Sequence, residues 1–260
     1  MTLGILGGMG PASGAWFYSR LIALTDARCD ADHIDVLLSG RASTPDRSAY
    51  LLGESPESPL PVLLADAHRL ERAGAELLVL LCNTAHAFLP ELRAAVRIPV
   101  LDMPSMTVFT VAARGFRRPG LLATRGCYAA GVYARAAARC GISMVYPPPV
   151  WRERLQKTIY DRIKSGADPD AGALSGAAAA LAATGCDCLI LGCTELSCAW
   201  PTGAREHAPE PGDGALPFFD PVEILCRRTI LLCGKTIKEG SPDATFFFAR
   251  RPAGRALAGV

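Results

Sequence analysis

The sequence predicts an α/β protein of two pseudo-symmetric halves, each a doubly wound parallel sheet, with an active site in the cleft between them. Three observations predict it. Apolar runs of strand length alternate with helical segments, the pattern of parallel sheets covered on both faces. The pattern restarts midway: Gly4-Ile5-Leu6-Gly7-Gly8-Met9-Gly10 is matched in spacing by Gly120-Leu121-Leu122-Ala123-Thr124-Arg125-Gly126. Finally, residues 73–79 align without gaps on residues 184–190, which sets Cys82 over Cys193.

The elements follow in order. Residues 3–7 are an apolar strand, 7–11 a glycine-rich turn and 13–27 a helix. Residues 34–39 are a second strand; 41–61 read as a loop rich in Ser and Pro, and 62–73 as a helix. Leu77-Leu78-Val79-Leu80-Leu81 is a third strand that delivers Cys82, followed by a helix over 87–96 and a short strand over 98–101. Asp102-Met103-Pro104 then breaks the pattern. In the second half the spacing predicts helices over 129–140, 151–165 and 171–183, and strands over 142–146 and 188–191. Residues 202–214, rich in Pro, Gly and charge, are a surface loop; 216–219 are a last strand and 221–233 a last helix that returns to the first half. The expected domains are therefore 1–104 plus 217–240, and 105–216. The tail, 241–260, is expected to be weakly ordered or to find a partner for Phe246-Phe247-Phe248.

Composition removes several function classes. The chain has 260 residues, 50% hydrophobic and 20% charged, enough to bury a substantial core. A net charge of +2 gives no reason to expect nucleic acid or a membrane surface as partner. No apolar run approaches the roughly 18–20 residues that span a bilayer, and the N-terminus enters a strand without a leader-like segment, so a soluble cytoplasmic protein is expected. The ten cysteines lie in apolar elements, which fits reduced thiols rather than a disulfide scaffold. Cys186, Cys188, Cys193 and Cys198 match no zinc spacing and have no histidine nearby, so no metal is assigned. The turn Gly8-Met9-Gly10 lacks the rest of a dinucleotide fingerprint.

Cys82 and Cys193 carry the chemistry. Each ends a buried strand, and polar residues follow where a helix would begin: Asn83-Thr84-Ala85-His86 and Thr194-Glu195-Leu196. A thiol beside helix N-terminal amides is placed to ionise. Two thiols on opposite faces of a carbon acid suit inversion: one, as thiolate, takes the α-proton, and the other delivers a proton to the opposite face. Asn83, Thr84 and Thr194 supply donors for a substrate carboxylate. Arg47 and Lys164 sit where loops could overhang the cleft and read either as solvated cations or as ligand-binding ones. His86 could orient the thiol, or simply cap and pack.

These residues resemble the aspartate/glutamate racemase family of pyridoxal-independent amino-acid racemases. The resemblance rests on Gly7-Gly8-Met9-Gly10-Pro11, Pro45-Asp46-Arg47, Cys82-Asn83-Thr84-Ala85-His86, Leu121-Leu122-Ala123-Thr124 and Gly192-Cys193-Thr194-Glu195-Leu196, with Asp220 before the last helix, and runs from about residue 2 to 233. It implies Cys82 and Cys193 as the acid/base pair, no metal or organic cofactor, and a homodimer. It implies substrate contacts from Met9, Asn83, Thr84, Thr124, Thr194 and Glu195, with Arg47 and Lys164 as ligands for a side-chain carboxylate, which favours aspartate or glutamate.

Four positions depart from the family pattern: Gly14, Cys127, Ala130 and Pro221 stand where hydroxyl residues are usual. Lost hydroxyls open other readings: an epimerase, isomerase or decarboxylase of a hydantoin, another amino acid or a biosynthetic intermediate, or a non-catalytic dicarboxylate-binding protein. The retained cysteine pair argues against the last, because binding alone does not require two thiols.

Overall fold

The computed structural model describes residues 1–199, 216–241 and 246–248. In the first half, β1 (Leu3–Leu6), β2 (Val36–Ser39) and β3 (Leu77–Leu80) form a parallel sheet in the order β2-β1-β3. Its helices are α1 (Pro11–Leu24), α2 (Arg47–Leu51), α3 (Leu60–Arg72) and α4 (Leu89–Ala95), and α5 (Met103–Ala113) leads into the second half. There β4 (Pro119–Ala123), β5 (Cys188–Gly192), β6 (Pro217–Phe219) and β7 (Phe246–Phe248) form a sheet in that order, with β7 antiparallel. Its helices are α6 (Arg125–Ala130), α7 (Val132–Arg139), α8 (Pro149–Lys157), α9 (Ala171–Ala183) and α10 (Thr194–Ala199), and α11 (Pro221–Leu232) follows β6.

Two isolated parallel bridges reveal the repeat. Val100 pairs with Leu78 beyond β3, and Val145 pairs with Gly120 beside β4. In both halves the sheet order is then second, first, third, fourth in chain sequence, and Cys82 and Cys193 follow the third. The strands expected over 98–101 and 142–146 shrink to these bridges. Pro99 has no N–H to extend a ladder, and Pro147-Pro148-Pro149 stops the second segment.

The period of two along each strand divides the core. Leu77, Val79 and Leu81 pack on one face with Phe17 and Leu21 of α1 and Leu225 and Ile230 of α11. Leu78, Leu80 and Cys82 pack on the other with Leu63 and Leu70 of α3 and Leu92 of α4. In the second half Cys188 and Ile190 face α5 and α7, while Leu189, Leu191 and Cys193 face α8 and α9. Each of the paired cysteines thus continues its strand's alternation onto a covered face.

Several expected elements differ. Pro104 suggests a break in the sequence, but it sits in the first turn of α5, where a proline is tolerated. The Asp102 carboxylate caps that helix by accepting the Ser105 N–H at 3.0 Å. The segment expected as one helix over 129–140 is two, α6 and α7, joined by Gly131 at φ 62°. The helix expected over 151–165 becomes α8, a π-turn over Thr158–Arg162 and a 3₁₀ turn over Ile163–Ser165, ended by Gly166 at φ 83°.

Residues 217–240, expected wholly in the first half, are divided. Strand β6 pairs with β5 of the second sheet, whereas α11 packs on α1 and α5 and inserts Val222, Leu225, Cys226 and Ile230 into the first core. A buried Glu223 pins α11 to α1, receiving Arg20 at 2.9 Å and Arg227 at 3.0 Å. In the tail, β7 closes the edge of the second sheet; the loop expected over 202–214 and the rest of the tail lie outside the described residues. Among the described residues no helix is long and apolar enough to cross a membrane, and no group of three or more His, Cys, Asp or Glu is arranged to hold a metal ion.

Candidate active site

One pocket, with about 270 Å³ of space that includes open solvent, lies at the C-terminal ends of both sheets. Its lining contains the two cysteines and all eight residues expected to contact substrate: Met9 after β1, Arg47 on α2, Cys82, Asn83 and Thr84 after β3, Thr124 after β4, Lys164 on the 3₁₀ turn, and Cys193, Thr194 and Glu195 after β5. Ser48 and Tyr160 complete it, and sequence reasoning misses both. Ser48 adjoins Arg47, so the Pro-Asp-Arg motif is its signal. Tyr160 has none: it reaches the pocket from the π-turn, a departure from helical periodicity.

The two halves meet at hydroxyl groups. Thr84 Oγ1 and Thr124 Oγ1 lie 3.0 Å apart, and Ser48 Oγ donates to Thr124 Oγ1 at 3.4 Å. Thr124 also caps α6 by accepting the Cys127 N–H at 3.2 Å. Gly126 makes this meeting possible: a Cβ there would collide with the Ser48 Cα and side chain.

Around Cys82 the surroundings are cationic and polar. Asp46 caps α2, accepting Ala49 N–H at 2.8 Å, and receives the Tyr160 hydroxyl at 2.9 Å. Arg47, buried beside it, donates from Nη1 to the carbonyls of Thr44 and Pro45. Burial opposes its charge, but Cys82 and Asp46 hold its pKa above the ordinary arginine value. Asn83 receives the Tyr133 hydroxyl on Oδ1 at 2.5 Å. Two buried donors, Arg47 Nε and Asn83 Nδ2, have no hydrogen-bond partner among the described residues.

His86 lies behind Cys82. Its Nε2 accepts the Met103 N–H at 3.2 Å, so Nδ1 carries the proton and donates to the Cys82 carbonyl at 2.9 Å. Burial lowers its pKa, which keeps the ring neutral. Both nitrogens are committed to backbone groups, so His86 fixes the cysteine's backbone rather than facing its thiol.

Around Cys193 the surroundings differ. Its Sγ donates to Glu195 Oε2 at 3.0 Å, which also receives the Thr194 hydroxyl at 3.1 Å. Lys164 Nζ lies 2.9 Å from Glu195 Oε1 and 5.0 Å from the centre of the Tyr160 ring. Burial raises the Glu195 pKa, but Lys164 and the cysteine donor outweigh it and the carboxylate stays ionised. Burial opposes the Lys164 charge too, and Glu195 and Cys193 more than restore it. The Cys193 thiol is pushed well up, by burial first and Glu195 second, with Lys164 opposing.

Comparison with known proteins fits this geometry. A family described as Asp/Glu/Hydantoin racemase matches residues 6–229. A broad-specificity amino-acid racemase, RacX of Bacillus subtilis (strain 168), is 23% identical over 161 residues, 60% of this chain and 69% of that one. Among solved structures, the aspartate racemase of Picrophilus torridus is 26% identical with a TM-score of 0.73, covering 92% of this chain and 96% of its own. The glutamate racemase RacE1 of Bacillus anthracis shares the fold at 18% identity and a TM-score of 0.59, covering 90% and 80%.

Proposed function

The chain belongs to the Asp/Glu/hydantoin racemase family, and from that premise we propose that it interconverts the enantiomers of an acidic amino acid, aspartate or glutamate, with Cys82 and Cys193 as the two proton-transferring groups. Amino-acid racemisation, an isomerase reaction, follows from the family itself. The choice of residues and substrate rests on the pocket.

The observation that carries the reading is the pairing of Cys82 and Cys193, after equivalent strands of the two sheets, in the lining of one pocket whose Arg47 and Asn83 each keep a buried donor without a partner among the described residues. A carboxylate is the complement of Arg47 Nε and Asn83 Nδ2. In one direction the Cys82 thiolate removes the α-proton: the Cα–H bond breaks and an S–H bond forms. The Cys193 S–H then breaks and its proton forms a new Cα–H bond on the opposite face. The reverse direction exchanges the roles. Arg47 and Lys164 take the distal carboxylate. Asn83, Thr84 and Thr194 hold the α-carboxylate, with Thr124 and Met9 against the substrate.

The test is a panel of amino acids and hydantoins incubated in deuterium oxide and followed for α-deuteration and optical rotation. Aspartate or glutamate should gain α-deuterium and lose chirality. Exchange confined to hydantoins or to neutral amino acids would overturn the substrate assignment while leaving racemisation intact.

A further inference from the structure

We propose that Glu195 is a positioning residue that holds the proton on Cys193, making Cys193 the acid and Cys82 the base in the ligand-free protein. This rests on the two-thiol reading above and adds an asymmetry that the repeat by itself would not have.

The repeat makes the asymmetry visible. The alignment that sets Cys82 over Cys193 also sets Asn83 over Thr194 and Thr84 over Glu195. Thr84 is neutral and its hydroxyl is shared with Thr124. Glu195 is a buried carboxylate, and its Oε2 takes the Cys193 S–H at 3.0 Å. Ionising Cys193 would set a thiolate against a carboxylate in a site of low dielectric. Lys164, 2.9 Å from Oε1, keeps Glu195 charged and partly offsets its effect on the thiol. Tyr128 also senses Cys193; it is a neutral phenol that accepts the Ala123 N–H at 3.0 Å and donates to the Leu121 carbonyl at 3.1 Å. Across the pocket Cys82 interacts with cations, the buried Arg47 guanidinium and Lys164. One thiol therefore has an anion beside it and the other a cation.

A consequence follows for turnover. The enantiomer whose α-hydrogen faces Cys82 meets the protein ready to react. Its product leaves a protonated Cys82 and an ionised Cys193 against Glu195, and that state must return a proton to Cys193 before the same direction runs again.

The experiment is alkylation by iodoacetamide across pH, with the modified cysteines identified peptide by peptide. In the wild type, Cys193 should need more alkaline pH than an ordinary cysteine thiol. Glu195→Gln removes the anion and keeps Lys164, so the Cys193 midpoint should fall. Its thiolate fraction at neutral pH should then rise by about tenfold for every pH unit that the midpoint drops, and its alkylation rate by a smaller factor, because a less basic thiolate is a weaker nucleophile. Lys164→Met removes the cation that favours the Cys193 thiolate and should move the same midpoint upward. Opposite movements at one thiol are not produced by loosened packing. An unmoved or raised Cys193 midpoint in Glu195→Gln, or a lowered one in Lys164→Met, would overturn the assignment. Alkylation needs no substrate, so these outcomes are independent of whether an amino acid exchanges its α-proton.

Discussion

Replacing His86 with Asn separates a ring that holds the backbone from one that moves protons. In the structure Nδ1–H donates to the Cys82 carbonyl and Nε2 accepts the Met103 N–H, and His86 is 3% exposed. Asn keeps a donor near the Nδ1 position and loses the acceptor, which strands a buried N–H at the start of α5. An unsatisfied buried donor costs about 1–3 kcal/mol. For a protein of this size each kcal/mol moves Tm by roughly 2–4 °C, so scanning calorimetry should show a fall of roughly 2–12 °C. Turnover should drop by up to about 100-fold, because the Cys82 backbone shifts, while the pH–rate profile keeps its shape. The depressed pKa of His86 adds a sign. Its stabilising neutrality is fully present above the unfolded value near 6.5 and is lost as pH falls through the lower folded value. His86→Asn should flatten that part of the acid-stability curve. An unchanged Tm together with a displaced acid limb of the rate profile would refute the backbone role and give His86 a proton-transfer one.

Other outcomes follow from the same contacts. Gly126→Ala places a methyl group into Ser48 at the junction of the two halves; overpacking of this kind costs about 1–3 kcal/mol, and both Tm and kcat/KM should fall, with wild-type behaviour in both contradicting the close approach. Arg47→Lys keeps a charge but lacks the planar fork that donates to Thr44 and Pro45 while leaving Nε free, so KM for a dicarboxylic amino acid should rise by about tenfold or more; an unchanged KM would remove Arg47 from the substrate. Glu223→Gln leaves Arg20 and Arg227 facing a neutral amide in the core, and urea titration should show a loss of about 3–5 kcal/mol; a change within error would mean that the triad contributes nothing.

The paired cysteines are legible in the sequence because the signal is doubled: the same strand pattern, the same offset and polar residues directly after the cysteine occur twice. Arg47 and Lys164 are legible only through motifs, since a single cation in a loop has no periodicity to mark it. Tyr160 and the helix α5 are not legible, for opposite reasons. The π-turn breaks the period that would place Tyr160, and Pro104 imitates a break while serving in a first turn. The strand β6 reads with the wrong sheet because its helix does return to the first core; chain proximity cannot separate the pairing of three residues from the packing of twelve. His86 can be read from sequence as orienting or as packing, and only the Met103 N–H at its second nitrogen decides between them.

The two-thiol account is tested most directly by α-deuteration of each pure enantiomer of aspartate and glutamate in deuterium oxide with Cys82→Ala and Cys193→Ala. The account predicts that neither variant racemises. Each should retain exchange with one enantiomer only, and the favoured enantiomer should be opposite in the two, because the remaining thiol reaches a single face of Cα. Full racemisation by either single variant would contradict it.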